Sequence, residues 1–135
     1  MPELPEVEVL MRHLDPALRG KTIRAVIIHR AKSTRPTSAR SLRGKLVGAK
    51  FISVSRRAKY LLFQLKPPRR DPFTLLGHLG MTGRMYVQSV NAPLPKHAAV
   101  TFGLGRRTFV FEDTRYFGRL TLDLSSLDSL GPEPL

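Results

Sequence analysis

From residue 47 to residue 124 the chain runs in short apolar stretches: KFISVSRR, YLLFQL, FTLLGHL, RMYVQS, HAAVTFG, RTFVFED and RLTLDL. Each is too short for a stable helix, and most are rich in β-branched and aromatic residues, which predicts strands. The breaks between them carry turn chemistry, namely PPRRDP, Gly80 with Gly83, NAPLP, and Gly103 with Gly105. Ahead of this region Val7, Leu10, Met11, Leu14 and Leu18 recur at helical spacing, with Pro5 and Glu6 suited to a first turn. A helix is predicted over residues 4–14, closed by Pro16 and Gly20, and TIRAVIIHR reads as a strand over residues 22–30. The polar run KSTRPTSARSLRGK is expected to be loop with one short helix near residues 38–43. Strands this close, with no helix-length segments between them, argue for an antiparallel sandwich or barrel over a parallel sheet. The fold class is therefore mainly β with α: an antiparallel β-sandwich flanked by an N-terminal helix and a short second helix. Residues 1–124 are expected to form that domain, and LSSLDSLGPEPL, which loses periodicity, reads as linker over residues 125–135.

At 135 residues with 41% hydrophobic content, the chain holds material for one core. Composition then narrows the partners. Lys and Arg number 23 against 10 acids, a net charge of +13, which favours polyanions and nucleic acid first. The surplus falls in residues 1–70, with 17 basic and 4 acidic side chains, so one electrostatic footprint is expected there. The absence of cysteine excludes a disulfide scaffold, a thiolate nucleophile and any Cys-ligated zinc. MPELPEVEVL lacks the profile of a signal peptide and no apolar run could span a bilayer, so a soluble intracellular protein is expected.

The amino end carries candidate chemistry. Methionine ahead of proline is commonly removed, which would leave Pro2 as a secondary amine. An α-amino group titrates near 8, so an appreciable fraction is unprotonated at neutral pH. Attack on an aldehyde carbon gives a charged iminium, an electron sink for elimination at the neighbouring carbon. Glu3 and Glu6 beside it suit proton shuttling and support. On residue physics alone, ordinary helix capping is the favoured reading of the same residues.

PELPEVE resembles the N-terminal signature of formamidopyrimidine-DNA glycosylases, bacterial enzymes that remove oxidised purines such as 8-oxoguanine. RRAKYLLF at residues 56–63, HLGMTG at residues 78–83 and DTRYFG at residues 113–118 resemble further motifs of that family, in the same order. The resemblance implies a catalytic set of Pro2, Glu3, Glu6 and Lys59. Pro2 would attack the anomeric carbon, expel the base and form a Schiff base. Glu3 would assist sugar-ring opening and later proton transfers, Glu6 would support it, and successive β and δ elimination would cut the strand. Lys59 and His78 would grip phosphates next to the lesion. Met81, Arg115 and Phe117 would fill the space left by the extruded base, with Arg115 bonding the orphaned cytosine. From composition alone, Lys59 reads as a solvated turn lysine, His78 as a strand residue, and Met81 and Phe117 as core. No metal or other cofactor is implied. The implied partner is double-stranded DNA with oxidised bases or abasic sites, bound by a monomer without membrane contact in a bacterial cytoplasm, at the nucleoid.

Two departures bear on this. Where the family commonly reads Asp-Pro-Arg-Arg-Phe-Gly, this chain has Thr114 and Tyr116 in place of the proline and one arginine, so a less rigid loop and altered opposite-base preference are expected. The family also continues into a helix-two-turn-helix and zinc-finger domain that this chain lacks, so an excised catalytic domain, weak or inactive alone, is expected. The alternatives are a non-catalytic DNA-binding domain, especially if Met1 is retained, and an endonuclease-eight-like enzyme acting on oxidised pyrimidines. Leu4 and HLGMTG speak against the latter.

Overall fold

A computed structural model describes residues 4–131. Helix α1 (Leu4–Leu18) leads into β1 (Ala25–Ile28), a 3₁₀ turn (Ala31–Thr34) and α2 (Ala39–Leu46). Seven strands follow: β2 (Lys50–Arg57), β3 (Tyr60–Lys66), β4 (Phe73–His78), β5 (Arg84–Ser89), β6 (Ala98–Gly103), β7 (Arg107–Glu112) and β8 (Arg119–Thr121). They form two four-stranded sheets, ordered β1-β6-β7-β5 and β2-β3-β4-β8, antiparallel at every pairing. The mainly β class with two helices, predicted from alternation and turn residues, is the fold observed.

The core lies between the sheets. Phe109 of one sheet meets Phe51 and Phe63 of the other, with ring centroids 6.1 and 5.6 Å apart, and Phe102 stacks beside Phe109 at 5.2 Å. Tilted and edge-on contacts at these separations add to the area these rings bury. Helix α1 lays Val7, Leu14 and Leu18 against this core.

Three boundaries differ from the sequence reading. Helix α1 continues to Leu18 through Pro16, because Leu14 and Leu18 are buried and Asp15 is tied on both sides. Its carboxylate accepts the Val54 backbone N–H at 2.7 Å and pairs with Arg19 at 2.9 Å. Tertiary anchoring here outweighs the hydrogen bond that a proline removes. The strand predicted over residues 22–30 is divided between sheets. Gly20 and Ile23 N–H donate to Phe51 and Ala49 C=O beside β2, whereas Ala25–Ile28 pairs with β6. A chain that changes sheets at a corner bonds first to one and then to the other. The final strand stops at Thr121, and Ser125–Ser129 forms a 3₁₀ turn inside the stretch read as linker.

Two connections cross between the sheets at one end of the sandwich: the β4–β5 loop leaves one sheet as the β7–β8 loop returns to it. The amino end of α1 and the β2–β3 turn lie at that end too. Thr37 fastens the start of α2 to β8, its hydroxyl 2.8 Å from the Thr121 hydroxyl and accepting the Leu122 N–H at 2.9 Å.

Candidate nucleic-acid interface

The loops at this end are joined by one carboxylate. Asp113 is 1% exposed at the close of β7. Its Oδ1 accepts the Thr82 hydroxyl at 2.7 Å and the Arg115 N–H at 3.1 Å, and its Oδ2 accepts the Gly118 N–H at 2.7 Å. The bond to the residue two positions on is an Asx turn. The Thr82 bond ties in the other loop. Glycines let the two backbones touch: a Cβ on Gly80 (φ +64°) would lie 2.6 Å from the Gly118 nitrogen, and one on Gly118 would lie 2.6 Å from the Phe111 ring. No side chain fits in either place.

Because the backbones fill the space between the loops, their apolar side chains turn outward. Met81 and Phe117 are each 49% exposed, so neither belongs to the core, the reading that composition alone favours. The Arg115 guanidinium lies over the Phe117 ring, 5.5 Å from its centroid. Tyr116 holds a left-handed φ of +62°, and the Arg30 guanidinium stacks 4.2 Å from its ring centroid. Arg30 also donates to the Asp113 carbonyl and contacts His97 Nδ1 at 3.1 Å. These contacts tie the loop at Asp113 and Tyr116, the span in which Thr114 and Tyr116 replace the family's proline and arginine.

Alongside lies a row of polar groups set by strand register. Leu61 pairs with Gly77 and His78 with Arg119, which places Tyr60, His78 and Arg119 side by side across β3, β4 and β8. The Tyr60 and His78 rings are 5.2 Å apart. With Arg35 and Thr121 they line a cleft of about 240 Å³. Burial, and then the nearby Lys59 and Arg119 cations, hold the His78 imidazole below its ordinary value. Its Nδ1 accepts the Gly80 N–H at 3.2 Å, so the neutral ring carries its proton on Nε2. Arg119 donates to the carbonyls of Tyr116 at 2.9 Å and Gly118 at 2.7 Å, bracing the same loop.

The depressed His78 pKa gives a signed prediction. The unfolded imidazole takes up a proton near pH 6.5 whereas the folded one resists, so stability is full above 6.5 and falls as pH drops through the folded value. Urea midpoints should decline between pH 7 and pH 5 less steeply in His78→Gln than in the parent. Parallel slopes would remove His78 as a contributor.

Lys59 sits exposed in the β2–β3 turn, after Ala58 at φ +53°. Arg56 supports that turn, donating to the Ala58 carbonyl at 2.9 Å and to Glu8 at 2.8 Å. The Arg56 bond, followed by that from Arg12, lowers the Glu8 pKa. Glu6 is exposed on the first turn of α1. Pro2 and Glu3 lie outside the described residues. Sequence reasoning missed Asp113, Arg30, Arg119 and the Glu8–Arg56 pair as supports. For Asp113 a signal existed, since an aspartate opening a Gly-closed turn suits an Asx turn. Among the described residues no cluster of three or more His, Asp or Glu could hold a metal ion, and no helix is long and apolar enough to cross a membrane.

A sandwich whose loops bring cations and uncovered apolar side chains to one end falls into a known class. The N-terminal domain of formamidopyrimidine-DNA glycosylases matches residues 1–120. The chain belongs to the formamidopyrimidine-DNA glycosylase family. The glycosylase of Moorella thermoacetica is 41% identical over 147 residues, covering all of this chain and 51% of its own length. That of Carboxydothermus hydrogenoformans is 36% identical over 135 residues, covering 100% of this chain and 49% of its own. The chain thus spans about half the length of these relatives. The Lactococcus lactis glycosylase, solved non-covalently bound to DNA containing an AP site, superposes with a TM-score of 0.83 at 30% identity, over 93% of this chain and 46% of that one. Its complex with Fapy-dG DNA gives 0.82 at 29% identity, with the same coverage.

Proposed function

We propose that the chain acts in base-excision repair of DNA, as a glycosylase and abasic-site lyase on oxidised purines. The observation that carries this reading is the pair of loops locked by Asp113, which present Met81, Arg115 and Phe117 to solvent beside His78. Extruding a base from the stack costs a few kcal/mol, and apolar side chains entering the gap offset part of it. In this reading Met81 and Phe117, exposed at the loop tips, make that insertion, and Arg115, stacked on Phe117, offers its guanidinium edge to the widowed base. A neutral His78 with its proton on Nε2 can donate to a phosphate oxygen, and Lys59 adds a full charge.

The chemistry rests on Pro2. Its nitrogen lone pair attacks C1′, the base departs with the bonding pair, and opening of the sugar ring leaves an iminium. Loss of a C2′ proton then expels the 3′ phosphate, and a further elimination expels the 5′ phosphate. Glu3 carries the protons and Glu6 supports it. DNA with an AP site or with Fapy-dG, bound by the Lactococcus lactis relative, is the expected substrate class. Borohydride trapping tests this: protein freed of Met1 should form a covalent adduct with abasic-site DNA. Pro2→Gly and Glu3→Gln should be impaired, and undiminished trapping after chemical blocking of the terminal amine would refute the role of Pro2.

A further inference from the structure

The basic surplus does not form the single footprint expected of residues 1–70. Antiparallel topology divides it between two ends. The starts of β1, β2 and β7 and the ends of α1, β3 and β6 all lie at the end opposite the loops of the candidate interface. There Lys21, Arg24, Arg106 and Arg107 line one groove of about 370 Å³. Arg24 and Gly103 are bonded through backbone N–H and C=O at 2.8 Å, which brings the run after α1 against the β6–β7 turn. That turn places Gly105 at φ +96°, and a Cβ there would lie 3.4 Å from Arg24 Nε.

None of these four groove cations pairs with a carboxylate of the described residues, whereas Glu8, Asp15 and Glu112 are each matched to an arginine elsewhere. Four cations lining one groove with no carboxylate partner repel one another unless an anion joins them. Leu104 is the one large apolar side chain lining the groove and it is buried, so the groove itself offers no exposed apolar anchor to a protein partner. A phosphate backbone needs charge and no anchor.

We propose that this far groove binds the phosphate backbone of a second DNA segment, separate from the one engaged by the loops. The eight residues of β2 separate the two ends by about 25 Å at the usual strand rise. Duplex DNA, stiff over about 150 base pairs, cannot turn back over so short a path, so one short duplex serves one end. The groove would then hold the protein on undamaged DNA or bridge two helices. This rests on the repair reading only in taking DNA as the polyanion.

The test uses two short undamaged duplexes carrying donor and acceptor fluorophores. The parent chain should bring them together and produce energy transfer. The variant Lys21→Gln/Arg24→Gln/Arg106→Gln/Arg107→Gln should lose the transfer, and its plot of log affinity against log salt should be shallower by about 3 to 4, near 0.9 for each contact. Arg106→Gln/Arg107→Gln, on the turn alone, should show about half that change. Borohydride trapping by the fourfold variant should equal the parent's. Unchanged energy transfer and slope would overturn the inference, as would a variant that loses binding to polyglutamate but keeps duplex binding. Failure of trapping in the parent with bridging intact would strike the repair reading and leave this one standing.

Discussion

Asp113→Ala should destabilise the protein by about 3–4 kcal/mol, because each hydrogen bond to a charged group contributes roughly 1.5–3 kcal/mol and the losses overlap. The Thr82 hydroxyl and the Arg115 and Gly118 N–H groups would all lose this acceptor, the last of them buried. Against a total stability of about 5–15 kcal/mol for a domain of this kind, that is a large fraction. Asp113→Asn should recover less than half, since an amide nitrogen would meet a hydrogen-bond donor on one side: the Gly118 N–H in one orientation, the Arg115 N–H in the other. Urea unfolding reads the stability. A fluorescent adenine analogue placed opposite an abasic site reads loop insertion, which should weaken in both variants even where the fold persists. A loss below 1 kcal/mol would show that the two loops are held by backbone contact alone.

Phe109→Ala should cost about 3–5 kcal/mol, the range for deleting a fully buried aromatic ring. Phe109 is 0% exposed and touches Phe102 in its own sheet and Phe51 and Phe63 in the facing one, so its loss opens a cavity at the seam between sheets. Phe109→Leu keeps much of the volume and should cost less than half as much. A midpoint shift in urea without a change of slope would mark lost packing in an intact fold. Equal costs for the two variants would place the stabilisation in the ring contacts and not in volume.

The sandwich was legible because strand alternation and turn residues are local signals. Every strand from KFISVSRR to RTFVFED falls within a residue or two of its observed place. What escaped was decided by distant partners. Pro16 reads as a stop until Leu18 and the Asp15–Val54 bond are seen, and residues 22–30 read as one strand until Gly20 and Ile23 are found on the other sheet. At the site, the motifs singled out Met81, Arg115 and Phe117, all of which the fold leaves exposed. Arg30 and Arg119 lie outside any motif: Arg30 reaches the loop from more than eighty residues away, and Arg119, though close in sequence, braces it through backbone carbonyls that no residue pattern marks.

The opposed crossing of the two Asp113-linked loops has a mechanical consequence. Each spans the gap between the sheets, one outward and one back, at the same end. Shear of one sheet over the other would pull both the same way, keeping Met81 and Phe117 abreast while they tilt together. The pair would behave as a single blade hinged on the sandwich, its angle set by the slip of one layer past the other.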